Sequence, residues 1–314
     1  MGSGTFTSQD WSNYANSNVF GKTASQIYTS RKMKDEFDPI GVLRESRDSD
    51  EHPESTPIII GLDVTGSMED ILNEVAQQLG DLVTEILERK PVSDPQIMFN
   101  AIGDSHCDSY PFQCTQFESD IRIAEQLTQL YFERGGGGNG FESYPLAWYF
   151  AANHTSCDNY EKRGKKGFLF TMGDDSYPRT LKSDELTDIF GDRLEGATEM
   201  TMNEVLTQAS RKWEIFHLCL KQGWNMAGVG WGNQPGEEEN RIVGDWTRLL
   251  GERAIPVSDY TKIPQIIVSI LERMAGKSVD EIVRSWDGST AVVVREAIQG
   301  LTEKKDDSGV IEFK

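Results

Sequence analysis

The chain has 314 residues, of which 37% are hydrophobic and 10% aromatic, and this is enough apolar material for one large domain with additions. Its formal net charge of -20 predicts repulsion from nucleic-acid phosphates and from anionic membranes, so we expect neither as a partner. No apolar run approaches the length of a membrane span, the N-terminus has no signal-peptide pattern, and the four cysteines form no CxxC pair. These features predict a cytoplasmic protein with reduced thiols.

Residues 1–55 are polar and end in the charged stretch RESRDSDEHPES, which is typical of a solvated linker. Aromatic and aliphatic side chains nevertheless recur through this segment, among them Trp11, Tyr14, Tyr28 and Phe37. We therefore predict an extended N-terminal arm that docks on its own core or on a neighbour.

From residue 56 onward, continuous apolar stretches alternate with segments of helical periodicity. The predicted strands cover 57–63, 96–104, 110–117, 166–175, 213–220 and 254–259. The predicted helices cover 69–87, 119–134, 142–155 and 262–276. This alternation predicts an α/β domain over 56–275, with a mostly parallel central sheet and helices on both faces.

Oxygen-bearing side chains follow two of these strands. The stretch GLDVTGSMED places Asp63 at the end of the first strand and Thr65 and Ser67 just after it, and Asp174 lies at the end of the strand 166–175. The glycine-rich stretch 135–143, which contains Asn139, lies between them. Because ligands gather at the carboxyl ends of parallel strands, and because these donors are hard oxygens, the pattern predicts a site for Mg²⁺, or else Mn²⁺ or Ca²⁺. Each segment alone is also compatible with simple helix capping.

DVTGS resembles the D-x-S/T-x-S motif of the metal-ion-dependent adhesion site in von Willebrand factor A (vWA) domains. The resemblance implies a Rossmann-like vWA fold. It also implies that Thr65 and Ser67 bind the cation through their hydroxyls and that Asp63 and Asp174 bind it directly or through water. Asn139 stands where the family usually has Thr or Asp. One open coordination position would then accept an acidic side chain from a partner protein, which makes the site a binding switch and not a catalyst.

Longer stretches, such as LDVTGSM and GGGGNGFESYPLAWYFAANHT, resemble an uncharacterised phage and bacterial group of cytoplasmic-type vWA proteins. The leading functional prediction is therefore a divalent-cation-dependent protein-binding module, phage- or prophage-encoded and located in the host cytoplasm. One alternative is a structural virion or assembly component that uses the arm, with a phage structural protein as partner. A second alternative is a metal-dependent hydrolase. For the binding module, family analogy also suggests an AAA+ ATPase as a candidate partner.

Three further segments leave alternatives open. Residues 276–314 predict a helical C-terminal extension that packs on the domain or serves as a docking peptide. The basic run EKRGKK at 161–166 predicts a solvated loop, with phosphate binding as the alternative. Asp104, Asp108 and Asp175 are interpreted as loop carboxylates, either solvated or adjacent to the metal ligands.

Overall fold

The computed structural model describes residues 4–133, 140–222 and 236–302. In chain order its strands are β1 (Arg44–Ser46), β2 (Thr56–Asp63), β3 (Pro95–Ile102), β4 (Phe112–Cys114), β5 (Thr155–Cys157), β6 (Gly167–Gly173), β7 (Thr180–Lys182), β8 (Glu199–Thr201), β9 (Trp213–Leu220) and β10 (Ala254–Val257). Its helices are α1 (Ser8–Asn18), α2 (Ala24–Ile27), α3 (Glu69–Gln77), α4 (Leu79–Arg89), α5 (Arg122–Leu127), α6 (Pro145–Asn153), α7 (Asp158–Arg163), α8 (Ser183–Phe190), α9 (Met202–Ala209), α10 (Glu237–Leu250), α11 (Ile263–Met274), α12 (Val279–Arg284) and α13 (Gly288–Ile298).

A six-stranded sheet in the order β10-β9-β6-β2-β3-β4 forms the centre of the molecule. All neighbouring pairs are parallel except β3 and β4, which are antiparallel. The six strands coincide with the six apolar stretches of the sequence, because strands covered on both faces carry mainly apolar side chains. The predicted α/β class with a mostly parallel sheet is therefore confirmed.

Apolar clusters cover the two faces of this sheet. Side chains from α1, α3, α4, α11 and α13 pack on one face. Side chains from α6, α8, α9 and α10 pack on the other. The carboxyl ends of β2 and β6 lie next to each other because these two strands pair directly.

Residues of the predicted arm fold onto the first of these clusters. The arm contains α1 and α2, and its side chains Trp11, Tyr28 and Phe37 are buried in the core. The indole of Trp11 approaches α4 so closely that a Cβ at Gly80 would lie 2.0 Å from Trp11 Nε1. Glycine at position 80 is therefore what allows α1 to lie against α4.

The structure differs from the sequence prediction mainly at short elements. The helix predicted over 69–87 is two helices, because the backbone at Gln78 leaves helical geometry (φ −98°, ψ 5°) between α3 and α4. The helix predicted over 119–134 is reduced to α5. Two small sheets, β1 with β5 and β7 with β8, were not predicted, because strands of three residues carry no readable periodicity.

The C-terminal segment contributes α12 and α13, and the side chains of Val294 and Ile298 on α13 are buried in the core. Residues 303–314 lie outside the described part of the chain. Within the three described ranges, none of the helices combines the length and the apolarity that a bilayer crossing requires.

Candidate functional site at the carboxyl edge of the sheet

Three oxygen-bearing side chains converge where β2 ends. The Asp63 carboxylate accepts two hydrogen bonds at Oδ1, from the Thr65 backbone N–H at 2.9 Å and from Thr65 Oγ1 at 2.6 Å. Thr65 Oγ1 lies 3.4 Å from Ser67 Oγ. A short 3-10 turn over Gly66–Met68 then leads into α3, whose start receives no hydrogen bond from a capping side chain. Simple helix capping, the alternative for this segment alone, is therefore absent at α3.

The end of β6 brings a second carboxylate to the same place. Ser67 Oγ donates a hydrogen bond to Asp174 Oδ1 at 3.0 Å, across 107 positions of sequence. Asp63 and Asp174 are both fully buried. Four of the five predicted ligands thus form one cluster of hydroxyl and carboxylate oxygens, and the fifth, Asn139, lies outside the described residues.

Tyr144 fixes the orientation of the Asp63 carboxylate. Its hydroxyl donates to Asp63 Oδ2 at 2.7 Å, and its ring packs edge-on against His217 and Trp246. The ring also lies directly over Gly173, where a Cβ would come within 1.9 Å of the Tyr144 hydroxyl oxygen. Sequence reasoning missed this residue, because a Tyr before the proline of a helix start gives no signal of its own.

A comparison within the chain shows which features are special to Asp63. After β10, Asp259 Oδ1 accepts hydrogen bonds from the Thr261 N–H at 3.0 Å and from Thr261 Oγ1 at 2.7 Å, which is the same Asp-x-Thr turn. That turn only caps the 3-10 turn that follows it, and Asp259 is half-buried. Hydrogen bonding within the turn is therefore ordinary, and the distinguishing features of Asp63 are its burial and the carboxylate of Asp174 opposite it.

The local electrostatics disfavour ionised carboxylates. Burial, and then the neighbouring Asp174, raise the pKa of Asp63 to about 7. Burial also raises the pKa of Asp175 to about 6. The three hydrogen bonds to the Asp63 carboxylate come from neutral groups, namely the Thr65 N–H, the Thr65 hydroxyl and the Tyr144 hydroxyl. A buried carboxylate without a cationic partner is costly, so the arrangement favours a bound positive ion.

Glu142 is a further buried acidic side chain beside this cluster. Burial and the charges of Asp63, Asp104 and Asp108 raise the pKa of its carboxyl, and Glu142 Oε2 is buried without a hydrogen-bond partner among the described residues. Asp104 is also fully buried, so solvation at a loop does not describe it, whereas Asp108 is half-buried. Sequence reasoning overlooked Glu142, since an acidic residue ahead of a helix is usually only a favourable end charge.

The donor set fits a hard divalent cation better than a transition metal. Two carboxylates and two hydroxyls are oxygen ligands of the type that Mg²⁺, Mn²⁺ and Ca²⁺ prefer. In the part of the chain that the structure describes, no group of three or more His, Cys, Asp or Glu side chains is arranged to hold a metal. Any cation here would therefore depend on the hydroxyls of Thr65 and Ser67 as well as on carboxylates.

Comparison with known proteins gives no family. No protein-family profile and no curated protein matches the chain. Among solved structures, it is similar to two crystal structures of the pilus adhesin SpaC from Lactobacillus rhamnosus GG. For one, the identity is 9%, the TM-score 0.47, and the similarity covers 73% of this chain and 32% of the adhesin. For the open conformation the identity is 10%, the TM-score 0.44, and the coverage 77% and 31%. The chain thus spans about a third of the adhesin, and similarity this low carries no argument about function.

Proposed function

We propose that the chain is a protein-binding module of the Rossmann-like vWA type, in which a divalent cation at the carboxyl edge of the sheet links it to a partner. The observation that carries this proposal is the pairing of Asp63 and Asp174. Both carboxylates are fully buried, both belong to one oxygen cluster with Thr65 and Ser67, and every hydrogen-bond donor to Asp63 among the described residues is neutral. An ion of charge +2 in this cluster would balance the two carboxylates.

The residues of the cluster would have different roles in binding the ion. The hydroxyls of Thr65 and Ser67 would act as direct ligands, and Asp63 and Asp174 would bind directly or through water. Tyr144 would hold the Asp63 carboxylate in one orientation through its hydrogen bond to Oδ2. The cation, when bound, would supply a Lewis-acidic position to which a carboxylate of the partner can bind.

A cavity beside the cluster supports an acidic partner. It has a volume of about 520 Å³ and includes Ser176, two residues after Asp174. Its lining carries four basic side chains: Arg179, Lys182, Arg241 and Arg248. Arg241 and Arg248 form ion pairs with Asp245, whereas no described residue forms an ion pair with Arg179 or Lys182. An acidic partner would therefore meet uncompensated positive charge next to the metal site.

The biological setting belongs to the same proposal. We place the module in the host cytoplasm, encoded by a phage or prophage, with a phage structural protein or an AAA+ ATPase as candidate partner. We propose binding in preference to hydrolysis, because among the described residues Asp63, Thr65, Ser67 and Asp174 offer one set of oxygen ligands, whereas two-metal hydrolysis uses two adjacent metal positions.

The experiment compares two matched variants. In thermal denaturation, Mg²⁺ is expected to raise the Tm of the wild type and of Asp259→Ala, which loses an equivalent Asp-x-Thr turn, but not the Tm of Asp63→Ala. Isothermal titration of Mg²⁺, Mn²⁺ and Ca²⁺ then gives the affinity of each ion. Pull-downs with and without EDTA identify the partner that is lost. An Asp63→Ala protein that responds to Mg²⁺ like the wild type would refute the ligand assignment.

A further inference from the structure

A second cavity lies at the opposite edge of the sheet, where the parallel strands begin. Its volume is about 460 Å³. Its wall is formed by the starts of β2 and β6, the segment between α4 and β3, the helix α7 and the end of α11. This volume suits a small organic ligand. The cavity shares no residue with the oxygen cluster at the carboxyl edge, so it is a separate site from the proposed cation site.

Positive charge is concentrated on this wall. Lys90, Lys165 and Lys166 line the cavity, and no described acidic side chain forms an ion pair with any of them. Arg163 also lines it, but its guanidinium donates to the Asp48 carboxylate and to the Ser55 carbonyl.

Negative charge on the wall is sparse. Among the described residues that line the cavity, Glu54 alone carries a carboxylate. In a chain with a net charge of -20, three uncompensated lysines around one cavity create a local potential that attracts anions.

The backbone at Lys90 is unusual. Lys90 ends α4 in the left-handed conformation, with φ 50° and ψ 48°, where glycine is the usual residue. A lysine is less stable than glycine in this backbone conformation, and its side chain lines the cavity. Glycine would fit the backbone better, so the local fold does not explain the choice of lysine.

Asn159 provides the second observation, and it is independent of the lysines. This residue lines the cavity and is 2% exposed. Neither its Oδ1 nor its Nδ2 has a hydrogen-bond partner in the described part of the chain. Because buried amides are nearly always hydrogen-bonded, a donor and an acceptor left together at a cavity wall point to a group outside the protein.

We propose that this cavity binds a small phosphate-bearing molecule. Its phosphate lies against Lys90, Lys165 and Lys166, and an adjacent donor and acceptor on the ligand pair with the amide of Asn159. The side chain of asparagine pairs in this way with amide groups and with the edge of adenine. A nucleoside monophosphate such as AMP has both features and a size that suits the cavity.

The proposal is tested by isothermal titration of the full chain with AMP, inorganic phosphate and adenosine in the presence of EDTA. EDTA removes the divalent ions, so the site at Asp63 takes no part in the result. AMP is expected to bind saturably, inorganic phosphate more weakly, and adenosine not at all. The variant Asp63→Asn is expected to bind AMP like the wild type, which separates this proposal from the cation-dependent one.

Charge variants test the lysines. Lys165→Glu is expected to weaken AMP binding at least about tenfold, the effect of one charged hydrogen bond. Lys32→Glu, which changes the net charge equally at an exposed position of the arm, is expected to leave it unchanged. Lys90→Gly removes a cation while relaxing the backbone, so a loss of AMP affinity in this variant does not arise from misfolding.

Asn159→Leu tests the amide. Neither polar atom of Asn159 is hydrogen-bonded within the described chain, so the variant loses no internal hydrogen bond seen there. It is expected to weaken AMP binding about tenfold and to leave the binding of inorganic phosphate unchanged. The proposal is overturned if neither AMP nor phosphate binds, if Lys165→Glu and Lys32→Glu behave alike, or if Asn159→Leu retains full affinity for AMP.

Discussion

Replacing Asp63 by asparagine should make the metal-free protein more stable, although the residue lies at the centre of the candidate site. Burial and Asp174 raise the pKa of Asp63 from 3.8 to about 7. A carboxyl whose pKa is higher in the folded than in the unfolded state stabilises the fold only while it is protonated. Stability is therefore lost as the pH rises from about 4 to about 7.

The size of the effect follows from the two pKa values. At ~1.4 kcal/mol per pH unit, the difference between 3.8 and about 7 corresponds to at most ~4 kcal/mol of lost stability above pH 7. The amide introduced by Asp63→Asn would keep an oxygen that accepts the two hydrogen bonds from Thr65, and it carries no charge. At roughly 2–4 °C per kcal/mol, the upper limit for the rise in Tm is on the order of 10 °C.

Urea and thermal denaturation at pH 5 and pH 8, both in EDTA, measure this difference. The gain in stability of Asp63→Asn over the wild type should be at most ~2 kcal/mol at pH 5 and at most ~4 kcal/mol at pH 8. Saturating Mg²⁺ should raise the wild type toward the variant and leave the variant unchanged. Asp259→Asn, which alters the equivalent turn after β10, should show no gain. A wild type as stable as Asp63→Asn at pH 8 without divalent ions would refute the electrostatic reasoning.

Four further predictions address the surroundings of the site and the packing of the chain. Tyr144→Phe removes the hydroxyl that donates to Asp63, and isothermal titration should show Mg²⁺ affinity lowered about fivefold, as expected for one hydrogen bond of ~1 kcal/mol. Gly173→Ala would place a methyl group 1.9 Å from the Tyr144 hydroxyl oxygen, so thermal denaturation should show a loss of ~1–3 kcal/mol together with weaker Mg²⁺ binding. Trp11→Ala should cost ~3–5 kcal/mol in urea denaturation, because the indole is buried between the arm and the core. The hydrogen bonds from Arg163 lower the pKa of Asp48, so the stability that Asp48 contributes should be lost in acid titrations as the pH falls below about 4, and Asp48→Asn should remove that dependence.

Each of these four predictions has an outcome that contradicts it. Unchanged Mg²⁺ affinity in Tyr144→Phe would show that the hydroxyl does not orient Asp63. A stable Gly173→Ala protein with normal Mg²⁺ binding would mean that Tyr144 can move aside freely. A Trp11→Ala protein of wild-type stability would show that packing of the arm on the core through Trp11 does not stabilise the fold. If Asp48→Asn loses stability in acid like the wild type, the acid sensitivity arises from other carboxylates.

The sequence predicted the central sheet well, because its strands are rich in apolar residues, as in PIII before Gly61. Covering both faces of a parallel sheet leaves few polar positions in its strands, such as Gln96, Asn100 and His217 here, so the apolar pattern is clear. Helix boundaries were less accurate. The break at Gln78 and the shortened α5 follow from packing, and periodicity reports only which face is apolar.

The same distinction applies to the candidate site. Because Asp63, Thr65 and Ser67 lie at alternate positions after a strand, their proximity was predictable from the sequence, and Asp174 followed from the rule that ligands collect at the carboxyl ends of strands. Tyr144 and Glu142 were not predictable as neighbours of Asp63. Their contribution depends on how α6 begins over the sheet, and local sequence does not encode that position.

The sequence by itself determined the α/β architecture and the chemical type of the oxygen cluster. The first follows from the alternation of apolar stretches with helical periodicity, and the second from the Asp, Thr and Ser residues at the strand ends. Only the tertiary structure decided which groups are buried and with what neighbours. It encloses Asp63 and Asp174 together, and at the other edge it leaves Asn159 beside three lysines. Burial is a property of the packed molecule, because the exposure of a polar group depends on residues that are distant in sequence.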